Sequence, residues 1–190
     1  MKKLWFTGLI FLLTQVSVAN AADYVIDTNK AHAFIQFKIK HLGYSWLLGR
    51  FNTFEGEFSY DEKNPSAAKI RVNIDPASID SNHAERDKHL RGKDFLDVTK
   101  YPESSFVSKS FKEIDKENAL LTGDFTLRGV TKEITIEVKH IGHGNDPWGG
   151  YRRGFEGKTS FALKDFGIDY NLGPASKEVE LFLSIEGIRK

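Results

Sequence analysis

The chain has 190 residues, with 27 Lys and Arg against 26 Asp and Glu, 40% apolar residues and no Cys. This length and composition predict one globular domain and exclude a disordered, collagen-like or disulfide-stapled chain. Because acidic and basic residues are balanced and interspersed, the sequence carries no basic footprint for nucleic acid. Without Cys there is no disulfide, no thiolate nucleophile and no Cys-ligated zinc.

The first 21 residues have the three parts of a secretory signal peptide. Lys2 and Lys3 precede an apolar run over residues 4–18, and Ala19-Asn20-Ala21 resembles a cleavage site. The run is shorter than the roughly 20 residues that cross a bilayer. We predict cleavage after Ala21, which leaves residues 22–190 as a single domain without a transmembrane segment. Loss of the two lysines changes the formal net charge from +1 to −1. In a Gram-negative host the destination is the periplasm.

Apolar residues alternate with polar ones along most of the mature chain, which predicts antiparallel β structure. Turn signals such as Arg128-Gly129 separate the runs. We count eight strands, which contain residues 33–39, 54–60, 70–74, 106, 121–127, 134–138, 155–163 and 179–185. Eight antiparallel strands can close into a barrel that removes both sheet edges. The predicted fold is therefore an all-β, eight-stranded antiparallel barrel, and a two-sheet sandwich is the alternative.

One segment between the third and fourth strands lacks this alternation. Asn82-His83-Ala84-Glu85 has the form of a capping box, so we expect a short helix from His83 to about Leu90 with Asn82 as its N-cap. Gly92 is expected to end the helix, and Phe95 and Leu96 to pack on the barrel. An insertion of this kind suggests a lid or plug.

The barrel interior is the first candidate site. An eight-stranded barrel is either filled by side chains or holds one small ligand. Glycines at the inward positions 56, 123 and 157 favour a cavity, which we expect to be apolar throughout. The side chains predicted to line it and bind the ligand are Phe54, Phe58, Tyr60, Ile70, Val72, Ile74, Phe125, Ile134, Ile136, Phe155, Phe161, Leu181 and Leu183.

The predicted helix is the second candidate site. His83 and Asp87 share one face, but no third metal ligand accompanies them, and a charged short helix is usually a solvated face. We therefore predict no metal site, and expect Arg86 and Asp87 to hold the helix over the barrel mouth. His140 and His143 are interpreted as loop histidines, and no catalytic residue is predicted.

The third candidate is the segment from His41 to Arg50, which is interpreted as an unusually apolar connector between the first two strands. Exposed aromatic residues at a barrel rim often contact a ligand or a membrane. The simpler interpretation is that Trp46 and Leu47 cover one end of the core. The sequence leaves open a transient membrane contact, a protein partner and a homodimer.

These features resemble the YceI-like family of exported, lipocalin-like, polyisoprenoid-binding proteins. The resemblance covers nearly all of the mature chain. It is carried by His32-Ala33-Phe34, His41-Leu42-Gly43-Tyr44-Ser45-Trp46, Phe54-Glu55-Gly56, Asp61-Glu62-Lys63-Asn64-Pro65, Asn82 to Arg91, Asp94-Phe95-Leu96, Tyr101-Pro102, Gly123 to Lys132, Asp146-Pro147-Trp148-Gly149-Gly150, Phe155 and Leu172-Gly173-Pro174-Ala175-Ser176.

The resemblance implies a barrel whose lumen binds a long isoprenoid chain, such as the tail of a quinone or polyprenyl lipid. It brings no cofactor, catalytic residue or metal site. We therefore expect a non-enzymatic periplasmic protein that carries or stores such a lipid. The alternative is a hydrolase or other enzyme that acts on an isoprenoid or a stress metabolite and uses His83, Asp87 and His89. A packed barrel that binds a protein partner through residues 44–48 is a third interpretation.

Overall fold

The computed structural model describes residues 21–29 and 32–190. The predicted signal peptide, apart from Ala21, lies outside the described residues. The strands are β1 (Ala22–Ile26), β2 (Phe34–His41), β3 (Ser45–Phe51), β4 (Phe54–Tyr60), β5 (Lys69–Ile74), β6 (Ile79–Asp80), β7 (Ser104–Glu113), β8 (Asn118–Leu127), β9 (Val130–Asn145), β10 (Tyr151–Ala162) and β11 (Glu178–Arg189). One helix, α1, spans Ala84–Arg91. Short 3₁₀ turns lie at Pro65–Ala67, Pro76–Ser78 and Leu163–Phe166.

The predicted fold is confirmed: the strands form a closed, eight-stranded antiparallel barrel with one short helix. Three of the eight barrel strands are each divided into two segments, so the described residues contain eleven strand segments, β1 to β11. β1 and β2 are the two segments of one barrel strand, and both pair with β11. β4 pairs with β1 and β3 pairs with β2, so these two segments form the next barrel strand. β5 pairs with β4 and β6 pairs with β3, which gives the third interrupted strand. Pairing of β1 with β11 closes the ring and excludes the two-sheet sandwich.

The barrel has two distinct ends. The helix end carries α1, the β2–β3 hairpin at residues 42–44, the β8–β9 turn at 128–129 and the segment 163–177. The opposite end, here called the hairpin end, carries the connections 61–68, 114–117 and 146–150. At the β8–β9 turn, Arg128 and Gly129 both have positive φ angles, as a two-residue hairpin turn requires.

Two predictions about local structure are wrong, and one strand was missed. The apolar segment 41–50 is not a connector, because residues 45–51 form strand β3, paired with β2 from Ser45 to Phe51. Strand β1 was not predicted. Asn82 is not the N-cap of α1: it has a positive φ angle, and the His83 Nδ1 accepts the Arg86 N–H at 3.2 Å.

The core follows the predicted alternation. Along β8 every second residue is buried, and the same pattern continues on β2 and in the middle of β9. Phe95 and Leu96, after the helix, are also buried, as expected. The core therefore lies inside the barrel, with the segments after α1 and β10 packed over its helix end.

Candidate functional site

The barrel encloses two adjoining cavities. The helix-end chamber has a volume of about 350 Å³ and the far chamber about 120 Å³. Their walls share four side chains, Ile35, Ile74, Phe125 and Leu181. The two chambers therefore lie next to each other along the inside of the barrel, which we call the lumen, with these four side chains between them.

Twelve of the thirteen predicted lining residues lie on these walls. Phe161 borders the helix-end chamber, Ile74, Phe125 and Leu181 border both, and the others border the far chamber: Phe58, Tyr60, Ile70, Val72, Ile134, Ile136, Phe155 and Leu183. Phe54 packs against the core but lines neither chamber. Contact of any of them with a ligand stays a prediction.

Most wall residues of the helix-end chamber were not predicted from the sequence. Its wall also includes Phe37, Ile39, Leu47, Phe51, Ile79, Leu90, Phe95, Leu96, Leu127, Leu163, Ile168, Tyr170, Leu172 and Val179. The alternation of Ile35, Phe37 and Ile39 with polar residues could have predicted that these three side chains line the wall. The loop residues between 163 and 172 follow no strand or helix period, so no pattern could have found them.

Of the three glycines predicted to open a cavity, only one borders a chamber. A Cβ at Gly56 would lie 2.7 Å from Ile26 Cδ1, and one at Gly123 would lie 2.5 Å from Phe106 Cζ. Neighbouring side chains therefore fill the space at these two positions. Gly157 alone of the three lines a chamber, where a Cβ would meet Ile136 and Leu183 at 3.1 Å.

The expectation of a lumen that is apolar throughout is also wrong at the helix end. His41, Arg86, His89 and Ser104 border the helix-end chamber among its apolar residues. The His89 side chain is about half exposed, as is Tyr170, which meets it edge to face with ring centroids 5.2 Å apart. Exposed side chains in the wall place the mouth of the lumen here.

Helix α1 is tied to the barrel by polar contacts at this mouth. The Asp87 carboxylate is buried and accepts the Ser81 N–H at 2.8 Å as well as the Ser81 hydroxyl. Arg86 Nε donates to Ser81 Oγ at 2.7 Å. Arg86 and Asp87 therefore bridge to Ser81, directly after strand β6, while their role in holding the helix over the mouth stays a prediction.

The three residues of the enzyme alternative have separate partners. His83 caps α1, Asp87 binds Ser81, and His89 Nε2 lies 3.1 Å from Asp94 Oδ2. This arrangement assembles no nucleophile with a base and an orienting group.

A polar cluster lies at the hairpin end of the lumen. Arg153 is buried, its Nη1 donates to His140 Nε2 at 3.1 Å, and its guanidinium lies 4.5 Å from the centroid of the Tyr60 ring. Glu62 also accepts from Arg153. His140 and His143 belong to strand β9, so their interpretation as loop histidines is wrong. Since Tyr60 and Phe155 line the far chamber and contact this cluster, it forms the chamber's floor.

A second ionic cluster joins three parts of the barrel near the hairpin end. Arg152 Nη1 donates to Asp27 Oδ2 at 2.7 Å and also to Glu186, and its Nε donates to Asp146 Oδ2 at 2.7 Å. The hydrogen bond from Arg152 lowers the pKa of Asp146. Asp27, His32 and Glu186 bring three ligand-type atoms within 4.8 Å, but the Arg152 guanidinium already binds both carboxylates. Arg152 is thus shared by three carboxylates, and the cluster is interpreted as a structural tie.

Comparison with known proteins gives a family and a fold. The family model of the YceI-like domain matches residues 24–187. A UPF0312 protein of Pseudomonas paraeruginosa is 62% identical over 172 residues, 90% of each chain. A crystal structure of the Campylobacter jejuni YCEI protein has a TM-score of 0.72 and 30% identity, and the match covers 80% of this chain and 91% of that one.

A more distant structure shares the fold alone. It is described as a polyisoprenoid binding domain from Saccharophagus degradans implicated in plant cell wall breakdown, with a TM-score of 0.63 and 13% identity. The match covers 90% of this chain and all of that one.

In the described residues, no helix has the length and apolar character that spanning a membrane requires.

Proposed function

Because this chain belongs to the YceI-like family, we propose that it is a non-enzymatic binding protein that carries or stores a long-chain polyisoprenoid lipid, of quinone or polyprenyl type, in the barrel lumen. We place it in the periplasm, on the signal peptide predicted over residues 1–21. The observation that carries the proposal is the pair of adjoining apolar chambers, which reach the surface at the helix end.

Elementary energetics favour a hydrocarbon ligand in this lumen. Each Å² of apolar surface removed from water contributes about 25 cal/mol, so a long chain gains affinity along its whole length without directional contacts. The polar side chains of the wall are concentrated at the mouth, where His41 and His89 lie near solvent. A headgroup is therefore expected at the helix end, and the tail in the far chamber.

The proposal is tested by changing the lumen while the outer surface is kept. Ile136 is buried and lines the far chamber, whereas its neighbour Thr135 points outward from the same strand. Ile136→Asp introduces a carboxylate that hydrocarbon cannot solvate, so binding of a polyisoprenoid alcohol should be lost. Thr135→Asp, the matched control, should bind as the unchanged protein does.

A second variant keeps the test decisive if Ile136→Asp does not fold. Leu181 borders both chambers, so Leu181→Trp should obstruct the lumen with an apolar side chain and without a buried charge. Uptake is measured by native mass spectrometry after incubation with the alcohol in detergent, and folding by circular dichroism. Unchanged uptake by a folded Leu181→Trp protein would exclude the lumen as the binding site.

A further inference from the structure

The outer face of the β2–β3 hairpin is an exposed apolar surface beside the mouth. Leu42, Tyr44, Trp46 and Leu48 expose 56%, 89%, 46% and 64% of their surface. Trp46 and Leu48 alternate on β3 with the wall residue Leu47, so they point away from the lumen. Leu42 and Tyr44 lie in the turn that precedes β3. Clustered exposed apolar residues are typical of a contact surface.

Cationic side chains accompany these apolar residues. The Lys38 and Lys40 ammonium groups lie 4.4 and 5.6 Å from the centroid of the Trp46 ring. The sequence from Phe34 to Phe51 contains these two lysines and Arg50 but no Asp or Glu. Lys38 also pairs with Glu180, and Arg50 with Asp80, both on other strands. Trp and Tyr beside Lys is the composition of protein surfaces that contact the lipid headgroup region.

The same hairpin contributes to the wall of the lumen. His41 and Leu47, which alternate with the outward residues, line the helix-end chamber. Leu42 packs beside Gly173, in the segment that also supplies the half-exposed Tyr170 to the mouth. Exposed apolar side chains and chamber wall are therefore continuous around one hairpin. A lipid that moves between a bilayer and the lumen at this point stays in contact with apolar side chains.

We propose that the outer face of the β2–β3 hairpin, formed by Leu42, Tyr44, Trp46 and Leu48 with Lys38 and Lys40, docks on an anionic lipid bilayer. Docking places the mouth of the lumen against the lipid surface. This proposal rests on the proposed carrier function for its purpose, but bilayer binding itself is measured independently of lipid uptake.

The hairpin end of the barrel provides a matched control. Ile141 and Trp148 are 62% and 73% exposed and lie around the β9–β10 connection, away from the mouth. Flotation of the exported, processed protein is measured with vesicles of phosphatidylethanolamine and phosphatidylglycerol. Leu42→Ser combined with Leu48→Ser should weaken vesicle binding by at least about tenfold, because two apolar contacts with the bilayer are lost. Ile141→Ser combined with Trp148→Ser should leave it unchanged.

Charge and orientation are tested separately. Lys40→Gln should weaken binding to the anionic vesicles by about fivefold and leave binding to pure phosphatidylcholine vesicles unchanged. After cleavage of the signal peptide, Trp46 and Trp148 are the two tryptophans of the chain. In Trp148→Phe, brominated lipids should quench the remaining Trp46 emission. In Trp46→Phe, they should leave the Trp148 emission unquenched.

The outcomes separate docking from carrying. The Leu42→Ser and Leu48→Ser protein should still take up a polyisoprenoid alcohol from detergent, because its lumen is unchanged. The docking proposal would be overturned if the Leu42→Ser and Leu48→Ser protein bound vesicles as well as the unchanged protein does. Quenching of Trp148 instead of Trp46 by brominated lipids would also overturn it. If the unchanged protein did not bind vesicles, and the Leu42→Ser and Leu48→Ser substitutions changed its oligomeric state, the docking proposal would also be overturned. The hairpin would then be a contact between protein chains. Vesicle binding without any uptake would contradict only the carrier function.

Discussion

At the residue scale, His140 is the group whose environment gives a testable pH dependence. Burial lowers its pKa, and the positive charges of Arg153 and His143 lower it further. Its Nε2 accepts a hydrogen bond from Arg153, which requires the neutral ring. The unfolded chain therefore binds a proton to His140 more readily than the folded protein does. Stability from this group is fully present above the ordinary His pKa of about 6.5 and declines as the pH falls below it.

Thermal unfolding measured across this pH range tests the assignment. The melting temperature of the unchanged protein should fall as the pH is lowered below about 6.5. His140→Gln keeps an acceptor for Arg153 but does not titrate, so its melting temperature should fall less steeply over the same range. Equal slopes for the two proteins would show that His140 does not contribute to acid destabilisation.

The wall of the lumen shows how far single residues could be predicted. Inward positions such as Ile136 and Leu183 follow from strict alternation, because side chains on a strand point to opposite faces. Alternation does not say where neighbouring side chains leave a void. Gly123 looked like an opening, but the Phe106 ring fills that space from a neighbouring strand. Packing between strands is a property of the assembled barrel, so the sequence alone could not place it.

At the element scale, the buried Asp87 carboxylate is one of the groups that join helix α1 to the preceding segment of the chain. Asp87→Ala removes the acceptor for the Ser81 N–H and hydroxyl and leaves them unsatisfied. We expect a loss of about 1–3 kcal/mol in the free energy of unfolding. Exchange of bound lipid should also accelerate, because the helix lines the mouth.

Two substitutions on the same helix serve as controls for denaturant unfolding and lipid exchange. Asp87→Asn keeps an oxygen acceptor at the same position and should lose less stability than Asp87→Ala. Lys88→Ala alters an exposed neighbour and should change neither quantity. If Asp87→Ala and Lys88→Ala behaved alike, α1 would not be held by this carboxylate.

Elements were predicted well where one face is polar and the other apolar. Strands β8 and β9 were found because Leu121 to Leu127 and Ile134 to Val138 alternate cleanly. Strand β3 was mistaken for a connector because Trp46 and Leu48 put apolar side chains on its outer face as well. The proposed docking surface therefore obscured the alternation that identifies a strand. The N-cap of α1 is His83, one residue after the predicted Asn82, because the His83 ring nitrogen can also accept a hydrogen bond from a backbone N–H.

At the scale of the whole molecule, Arg152 joins parts of the chain that are distant in sequence. It connects Asp27 after β1, Asp146 in the β9–β10 turn and Glu186 on β11, next to the pairing that closes the barrel. The Asp27 side chain is only 2% exposed. Arg152→Leu removes the guanidinium from this buried carboxylate, and we expect a loss of about 3 kcal/mol in the free energy of unfolding.

Denaturant unfolding of Arg152→Leu is compared with that of Lys190→Leu, which removes an exposed ion pair with Glu57 on the barrel surface. Surface pairs contribute little, so the control should unfold close to the unchanged protein. A small effect of Arg152→Leu, similar to that of the control, would mean that barrel closure does not depend on the ionic cluster.

Native mass spectrometry of the processed protein, purified from the periplasm of its own host, determines whether the lumen holds a polyisoprenoid lipid. Gentle ionisation is followed by organic extraction and identification of what is released. We expect a discrete mass above that of the polypeptide, and the added compound should be extracted as an isoprenoid. A bare polypeptide that also takes up no polyisoprenoid alcohol from detergent would contradict this expectation.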